Sequence, residues 1–242
     1  IEHETDRARF LGRGRSTRHP AAMEAPLSGS TGAVLDPVFS LRRRVRIGAG
    51  KSARLLFTTA VADTREAALA LAEKYADPVS ANRAPTLAWT HAQSQLHYLD
   101  IGVDEAKLFL RLAARVLYAR RDLRAREDVI ARNRRGQSGL WAYGISGDLP
   151  IVLVRVGGEE HIELVREALH AHEYWRIRGL TVDLVVLNEH PPSYLQAFQD
   201  QLMGMVRSGP SAILVDKPGG IFVRRADIMP VEDQTLLAAA AR

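Results

Sequence analysis

The chain has 242 residues, 46% of them hydrophobic, and a formal net charge of +5, which is enough for one large domain or two small ones with real cores. It contains no cysteine, which excludes disulfides, thiolate zinc sites and cysteine nucleophiles. No run of roughly 18 apolar residues is present, so no helical membrane span is predicted, and no signal peptide is visible. The chain opens on Ile1 and closes on the helix-like run Leu236-Leu-Ala-Ala-Ala-Ala-Arg242 without a glycine or asparagine stop, which reads as a piece of a longer polypeptide.

The positive charge is local. Residues 1–60 carry 11 Arg and Lys against 5 Asp and Glu, and the remaining residues carry 22 against 23. Arg42-Arg-Arg-Val-Arg46 has strand-like spacing, which places Arg42, Arg44 and Arg46 on one face. Aromatic residues are not interleaved with these charges, so nucleic acid is not an expected partner.

Taken in chain order, Val45 to Ile47 and Ala53 to Val61 flank the glycine-containing turn Gly48-Ala-Gly50 and read as a strand pair. Asp63 and Glu66 have the spacing of a capping box, and a helix follows to about Tyr75. Asp77-Pro78 ends it. Further helices are predicted from Pro85 to about Leu99 and from Asp104 to about Tyr118, the latter with Leu108, Leu112 and Val116 on one apolar stripe. The arginine-rich stretch 120–135 holds a short helix near Arg126 to Arg132.

From 149 onward strands and helices alternate. Strands are predicted at Leu149 to Val156, Thr181 to Leu187 and Ala212 to Val215. Helices are predicted at Glu159 to Arg178 and Ser193 to Arg207. This alternation predicts a small parallel sheet. Pro218-Gly-Gly220 then turns into Ile221 to Val223, read as a hairpin, and a last helix starts near Pro230.

Few patterns carry chemistry. Val156-Gly-Gly-Glu-Glu160 lies where dinucleotide folds bind phosphate, and Glu189 follows the second strand as a ribose-binding acid would. The glycine spacing is wrong, however, and Glu159 and Glu160 repel phosphate. A small nucleotide-binding module therefore ranks behind the readings below. The eight histidines show no metal-ligand spacing. Gly144-Ile-Ser-Gly147 is one residue short of a serine nucleophile elbow and precedes a strand where the elbow follows one. Trp141, Tyr143 and Asp148 have residue types that could face a sugar. Asp148 is equally ordinary turn chemistry, and Trp141 could simply pack. Gly144 and Gly147 are expected at positive φ.

Five stretches together resemble a known family: Arg9 to Arg15 with Pro20 to Met23; Gly32 to Arg42; Phe57 to Asp63; Gln137 to Pro150; and Gly219 to Asp227. The family is the cyclic β-1,2-glucan synthetases, whose C-terminal half is similar to cellobiose and chitobiose phosphorylases of glycoside hydrolase family 94. The resemblance covers essentially the whole chain. It implies a very large inner-membrane parent. One region of that parent builds a linear β-1,2-glucan and closes it into a ring, while a phosphorylase-like region sets chain length. It also implies β-sandwich domains, a helical linker and an (α/α)6 barrel that carries an aspartate general acid.

On this resemblance the fold is mixed α and β. Residues 1–62 are the C-terminal part of a β-sandwich, 63–135 a helical linker, and 136–242 a small α/β (βαβαβ) segment leading to a downstream domain. No residue matches the family's general acid, so no catalytic residue is carried over, and no cofactor or metal is expected. Arg13, Arg15, Trp141, Tyr143 and Asp148 are the candidate glucan contacts. The expected partners are the remainder of the parent polypeptide, including its sandwich and barrel, and β-1,2-glucan. The expected location is the cytoplasmic side of a bacterial inner membrane, as part of a membrane-embedded parent. The expected role is non-catalytic positioning of the catalytic domain, with a ligand-free structural connector as the alternative.

Overall fold

The computed structural model describes residues 1–118, 121, 123–191 and 196–242. It is mixed α and β and forms two compact units, Ile1–Ala81 and Asn82–Arg242. Each is taken by itself.

In the first unit, strand β1 (Glu2–Asp6) leads into the one-turn helix α1 (Arg7–Leu11) and pairs antiparallel with β2 (Pro37–Arg42). The pairing sets Glu2 opposite Arg42 and Glu4 opposite Ser40, with an irregularity between Glu4 and Asp6. The buried Glu4 carboxylate organises this unit. It accepts hydrogen bonds from the Ser28 hydroxyl at 2.6 Å, from the Ser30 hydroxyl, and from the backbone N–H groups of Thr5, Asp6 and Ser28. Donors aimed at the ionised form, Ser28 and Ser30 foremost, hold its pKa at about 2. A depressed folded-state pKa gives stability that is fully present above the ordinary 4.5 and is lost as pH falls toward 2. Residues 27–31 are therefore expected to lose amide protection between those pH values. In Glu4→Gln the loss is expected already at neutral pH. An unchanged protection profile at pH 3 would contradict this.

The predicted strand pair at 45–61 does not form. Residues 43–62 carry no strand, and Leu55, Leu56, Phe57 and Val61 are exposed. A strand needs a neighbour for its backbone groups and for one face, and this stretch finds neither. The shared arginine face is corrected for the same reason. The strand ends at Arg42, whose guanidinium is tied to Glu2 and to the carbonyls of Ala22 and Ala25.

Helix α2 (Arg65–Ala76) is capped by Thr64, whose Oγ1 accepts from Ala67 N–H at 3.2 Å, rather than by Asp63. Helix α3 (Pro78–Tyr98) begins about two turns before the predicted Pro85. Asp77 accepts from Ser80 N–H at 2.8 Å, and Pro78 in the first turn costs no hydrogen bond. The helix then runs through Pro85.

In the second unit, α4 (Val103–Leu117) starts where predicted. Glu105 reaches back to accept from Gly102 N–H at 2.8 Å. It buries Ala106, Phe109, Ala113 and Val116, so of the predicted stripe Val116 is buried while Leu108 and Leu112 are half-buried beside it. The short helix α5 (Glu127–Arg132) follows. Strand β3 (Ile151–Val156), helix α6 (Ile162–Ile177), strand β4 (Asp183–Asn188), helix α7 (Ala197–Ser208) and strand β5 (Ile221–Arg225) then form a parallel sheet in the order β3-β4-β5. The predicted start of the α7 helix at Ser193 lies outside the described residues.

The predicted parallel sheet is present, with one correction. Ala212 to Val215 is not the third strand. Residues 210–214 form a 3-10 turn, and Val215 makes a single bridge to Ile221. Ile221–Arg225 takes the place beside β4, so it is a third parallel strand and not half of a hairpin. Two buried side chains set this entry. Asp183 Oδ1 accepts from Gly219 N–H at 2.7 Å, and His172 Nε2 lies 3.1 Å from Gly219 O. A Cβ at Gly220 would sit 1.9 Å from Leu214 O. Gly220→Ala is therefore expected to cost about 1–3 kcal/mol of stability by thermal or chemical melting, because backbone and not a flexible side chain must move. An unchanged melting midpoint would count against this turn geometry.

Side chains alternate across the sheet. Ile151, Val185, Leu187 and Phe222 face a core shared with Leu140, Ile145 and the last helix, α8 (Val231–Ala240). Val154, Leu184, Val186, Ile221 and Val223 face α6 and α7. Both crossover helices lie on one face, as two crossovers of the same hand require for this strand order. Helix α4 covers α6 through Phe109, Tyr174 and Trp175, and the Trp175 indole N–H donates to Phe109 O at 2.8 Å. Among the described residues no helix is long and apolar enough to cross a membrane.

Candidate functional site

The stretch 136–150 forms a shelf at the entry to β3. Residues 137–143 form a 3-10 turn that Gly144 ends at φ 73°, and Gly147 follows at φ 77°. Both glycines hold the left-handed conformation expected of them. Leu140 and Ile145 plunge into the core. A Cβ at Gly139 would lie 2.7 Å from Leu236 of α8, so the turn rests directly on that helix.

Polar contacts fix what the apolar anchors begin. The Tyr143 hydroxyl donates to Asp233 Oδ2 at 2.8 Å, and Arg135 donates to Asp233 Oδ1 at 2.7 Å. Burial, then the Asp233 carboxylate, push the Tyr143 pKa above 10, so the phenol remains a donor at neutral pH. The Arg224 guanidinium donates to Tyr143 O at 2.6 and 3.0 Å and pairs with Asp216 at 2.7 Å. Gln137 donates to Ser146 O at 2.8 Å and to Asp148 Oδ1 at 2.9 Å.

Trp141 touches this network at one point, the Ser146 carbonyl that Gln137 also uses. It is 64% exposed, and its indole N–H donates to Ser146 O at 3.2 Å. The ring is therefore held by one edge while a face remains open. The same stretch borders a cavity of about 470 Å³ lined by Asn133, Arg135, Gln137 and Asp148 over Leu140 and Leu236, and Trp141 is not among its lining residues. That volume falls within the roughly 300–1,000 Å³ of small-molecule sites. An open aromatic face next to amide and carboxylate groups can present an apolar platform and hydrogen-bond partners to one ligand.

The structure brings Trp141, Tyr143 and Asp148 onto one shelf, with Trp141 and Asp148 linked through Gln137 and Ser146. Tyr143 points the other way, into the α8 contact. Arg13 and Arg15 belong to the first unit. Both are exposed, on the Gly12 to Gly14 turn where both glycines have positive φ, and Arg15 pairs with Glu24 at 2.7 Å. Sequence patterns do not single out Gln137, Arg135 or Asp233. Gln137 lies at the start of the Gln137 to Pro150 motif, so that motif is the signal that could have found it. The Tyr143–Asp233 contact spans 90 positions and leaves no local signal.

The 157–160 turn is not shaped for a phosphate. Glu159 and Glu160 precede α6, and the Glu160 carboxylate crowds Gly158, so acid occupies the place a phosphate would take. Among the described residues no three His, Asp or Glu side chains converge as a metal-ligand set.

Comparison with known proteins agrees with the resemblance seen in the motifs. Residues 1–78 match the family described as glycosyl hydrolase 94, supersandwich domain. The chain is 40% identical, over 99% of its length, to the cyclic beta-(1,2)-glucan synthase NdvB of Rhizobium meliloti (strain 1021). It spans 8% of that protein's length. The chain is thus similar along nearly its whole length to one segment of a cyclic β-(1,2)-glucan synthase, and its first 78 residues match the glycosyl hydrolase 94 supersandwich domain.

Proposed function

We propose that this chain acts within a cyclic β-1,2-glucan synthetase as a non-catalytic segment that positions the catalytic domain and holds glucan on the 136–150 shelf. In this reading residues 1–62 are the end of a β-sandwich, 63–135 a helical linker, and 136–242 an α/β segment leading to the next domain. The partners are the rest of the parent polypeptide, including its sandwich and its (α/α)6 barrel, and the work is done at the cytoplasmic face of the inner membrane. Protonation of the leaving oxygen belongs to a carboxylic acid elsewhere in the parent.

The observation that carries the ligand part is the open ring of Trp141 on a shelf whose other side chains are committed to holding it still. A preorganised aromatic loses little conformational freedom on binding. Arg13 and Arg15 are proposed as further contacts from the first unit. The ligand-free connector is the second reading. It is favoured by the fact that Tyr143, Gln137 and Asp148 already have partners inside the chain.

Electrophoresis through gels containing β-1,2-glucan separates the two. The native chain is expected to be retarded, and Trp141→Ala is expected to migrate as in a gel without glucan. Tyr143→Phe, which keeps the ring but drops the Asp233 bond, is expected to remain retarded. Equal migration of all three in both gels would leave the connector reading standing.

A further inference from the structure

A second cavity, of about 560 Å³, lies on the opposite face of the sheet from the Trp141 shelf, between the end of α3, α6, α7 and the turn after α7. Its size also falls within the roughly 300–1,000 Å³ of small-molecule sites. Leu99, Leu169, Met205 and Ile221 give it an apolar wall. Tyr98 stands at its edge and is 74% exposed.

One wall is polar. Glu173 is only 4% exposed, yet it lines the cavity. Its carboxylate accepts from the Ser211 hydroxyl and from Arg176, whose Nε is 3.2 Å away. Burial opposes its ionisation, but Arg176 and Ser211 together hold its pKa below the ordinary value. An ionised carboxylate oxygen has more than one lone pair, so Glu173 can still accept from a ligand hydroxyl. His170 and Arg166 lie on the same side of α6, and Arg166 is paired with Glu163 at 2.6 Å.

The charges decide the ligand class. The lining arginine, Arg166, is already matched by Glu163, and Arg176, outside the lining, is matched by Glu173. An anion would meet the buried Glu173, and a cation would meet Arg166. A purely apolar guest would leave the remaining acceptor capacity of Glu173 at the cavity wall without a partner. A neutral ring with one apolar face and a rim of hydroxyls meets each requirement. From this geometry we infer that the cavity is a binding site for one pyranose unit, its apolar face on Tyr98 and Leu169 and its hydroxyls toward Glu173, Ser211 and His170. The choice of glucose as that unit rests on the proposed function above.

The test is an amide NMR titration of the 242-residue chain with sophorose, the β-1,2-linked glucose disaccharide, with hexanol as an apolar control. Saturable shifts are expected at Leu169, His170, Ser208, Gly209 and Ser211. Tyr98→Ala, at an exposed position that folding does not need, is expected to weaken them by about tenfold. Leu169→Trp, which fills the cavity, is expected to abolish them. Sophorose shifts at Trp141 alone would overturn the second site and leave the proposed function in place. Shifts at the cavity alone would support it and count against the shelf. Shifts at neither, or equal shifts with hexanol, would overturn it.

Discussion

Phe222→Ala is expected to destabilise the second unit by about 3–5 kcal/mol. Phe222 lies within β5 and is fully buried. Its ring fills the space between the sheet and the shelf, in one cluster with Leu140, Ile145, Val185 and Leu237. Truncation loses the transfer free energy of the ring and leaves a hole that strands held by ladders on β4 cannot close. It also removes the surface over which Arg224 lies, 5.3 Å from the ring centroid, and Arg224 is the residue that holds Tyr143 O. The effect should therefore reach the shelf. Urea melting reports the stability loss, and the Trp141 indole resonance reports the shelf. Stability within about 1 kcal/mol of the native chain would show that this core is not the keystone of the unit. For scale, whole domains have about 5–15 kcal/mol in total.

Hydrogen exchange is expected to divide the chain sharply. Residues 149–242 form a sheet with apolar clusters on both faces, whereas residues 1–62 bury only Glu4, Pro20 and Ala22. Amides in β4, all of whose residues are buried, should open only with the unit as a whole. Residues 43–62 lack a regular ladder and expose Leu55, Leu56 and Phe57, so their amides should exchange through local opening. Protection is expected to differ by roughly a thousandfold or more between them. The same exposed apolar stretch should make the isolated chain prone to association. Equal protection in 1–62 and 149–242 would refute this.

These two contrasts also explain what the sequence does and does not reveal. The α/β part is legible because its signals are local. Short apolar runs, helix-length spacers and glycine turns sit in sequence order, and α4, α6, β3 and β4 fall close to where periodicity puts them. The third strand is misplaced by pattern alone because Ala212 to Val215 and Ile221 to Val223 are equally apolar. What separates them is the fit of Gly219 and Gly220 against Asp183, His172 and Leu214, which only the folded chain supplies. The strand pair expected at 45–61 rests on residue preference, which reports what a half-buried pleated surface would accept. No such surface forms there. In the candidate site, Trp141 and Asp148 are readable as residue types. The roles of Tyr143 and Gln137 are not, because each depends on a partner chosen by the fold.

The most direct measurement is an amide and indole NMR titration of the chain with linear β-1,2-gluco-oligosaccharide. The expected result is a dispersed spectrum in which the Trp141 indole N–H and the amides of Gly144 to Asp148 shift saturably, while the Ala113 and Val116 amides on the buried side of α4 stay fixed. A dispersed spectrum in which the 136–150 signals do not move would contradict the shelf as a glucan contact, and if the signals of the α6–α7 cavity were also unmoved the chain would be a connector.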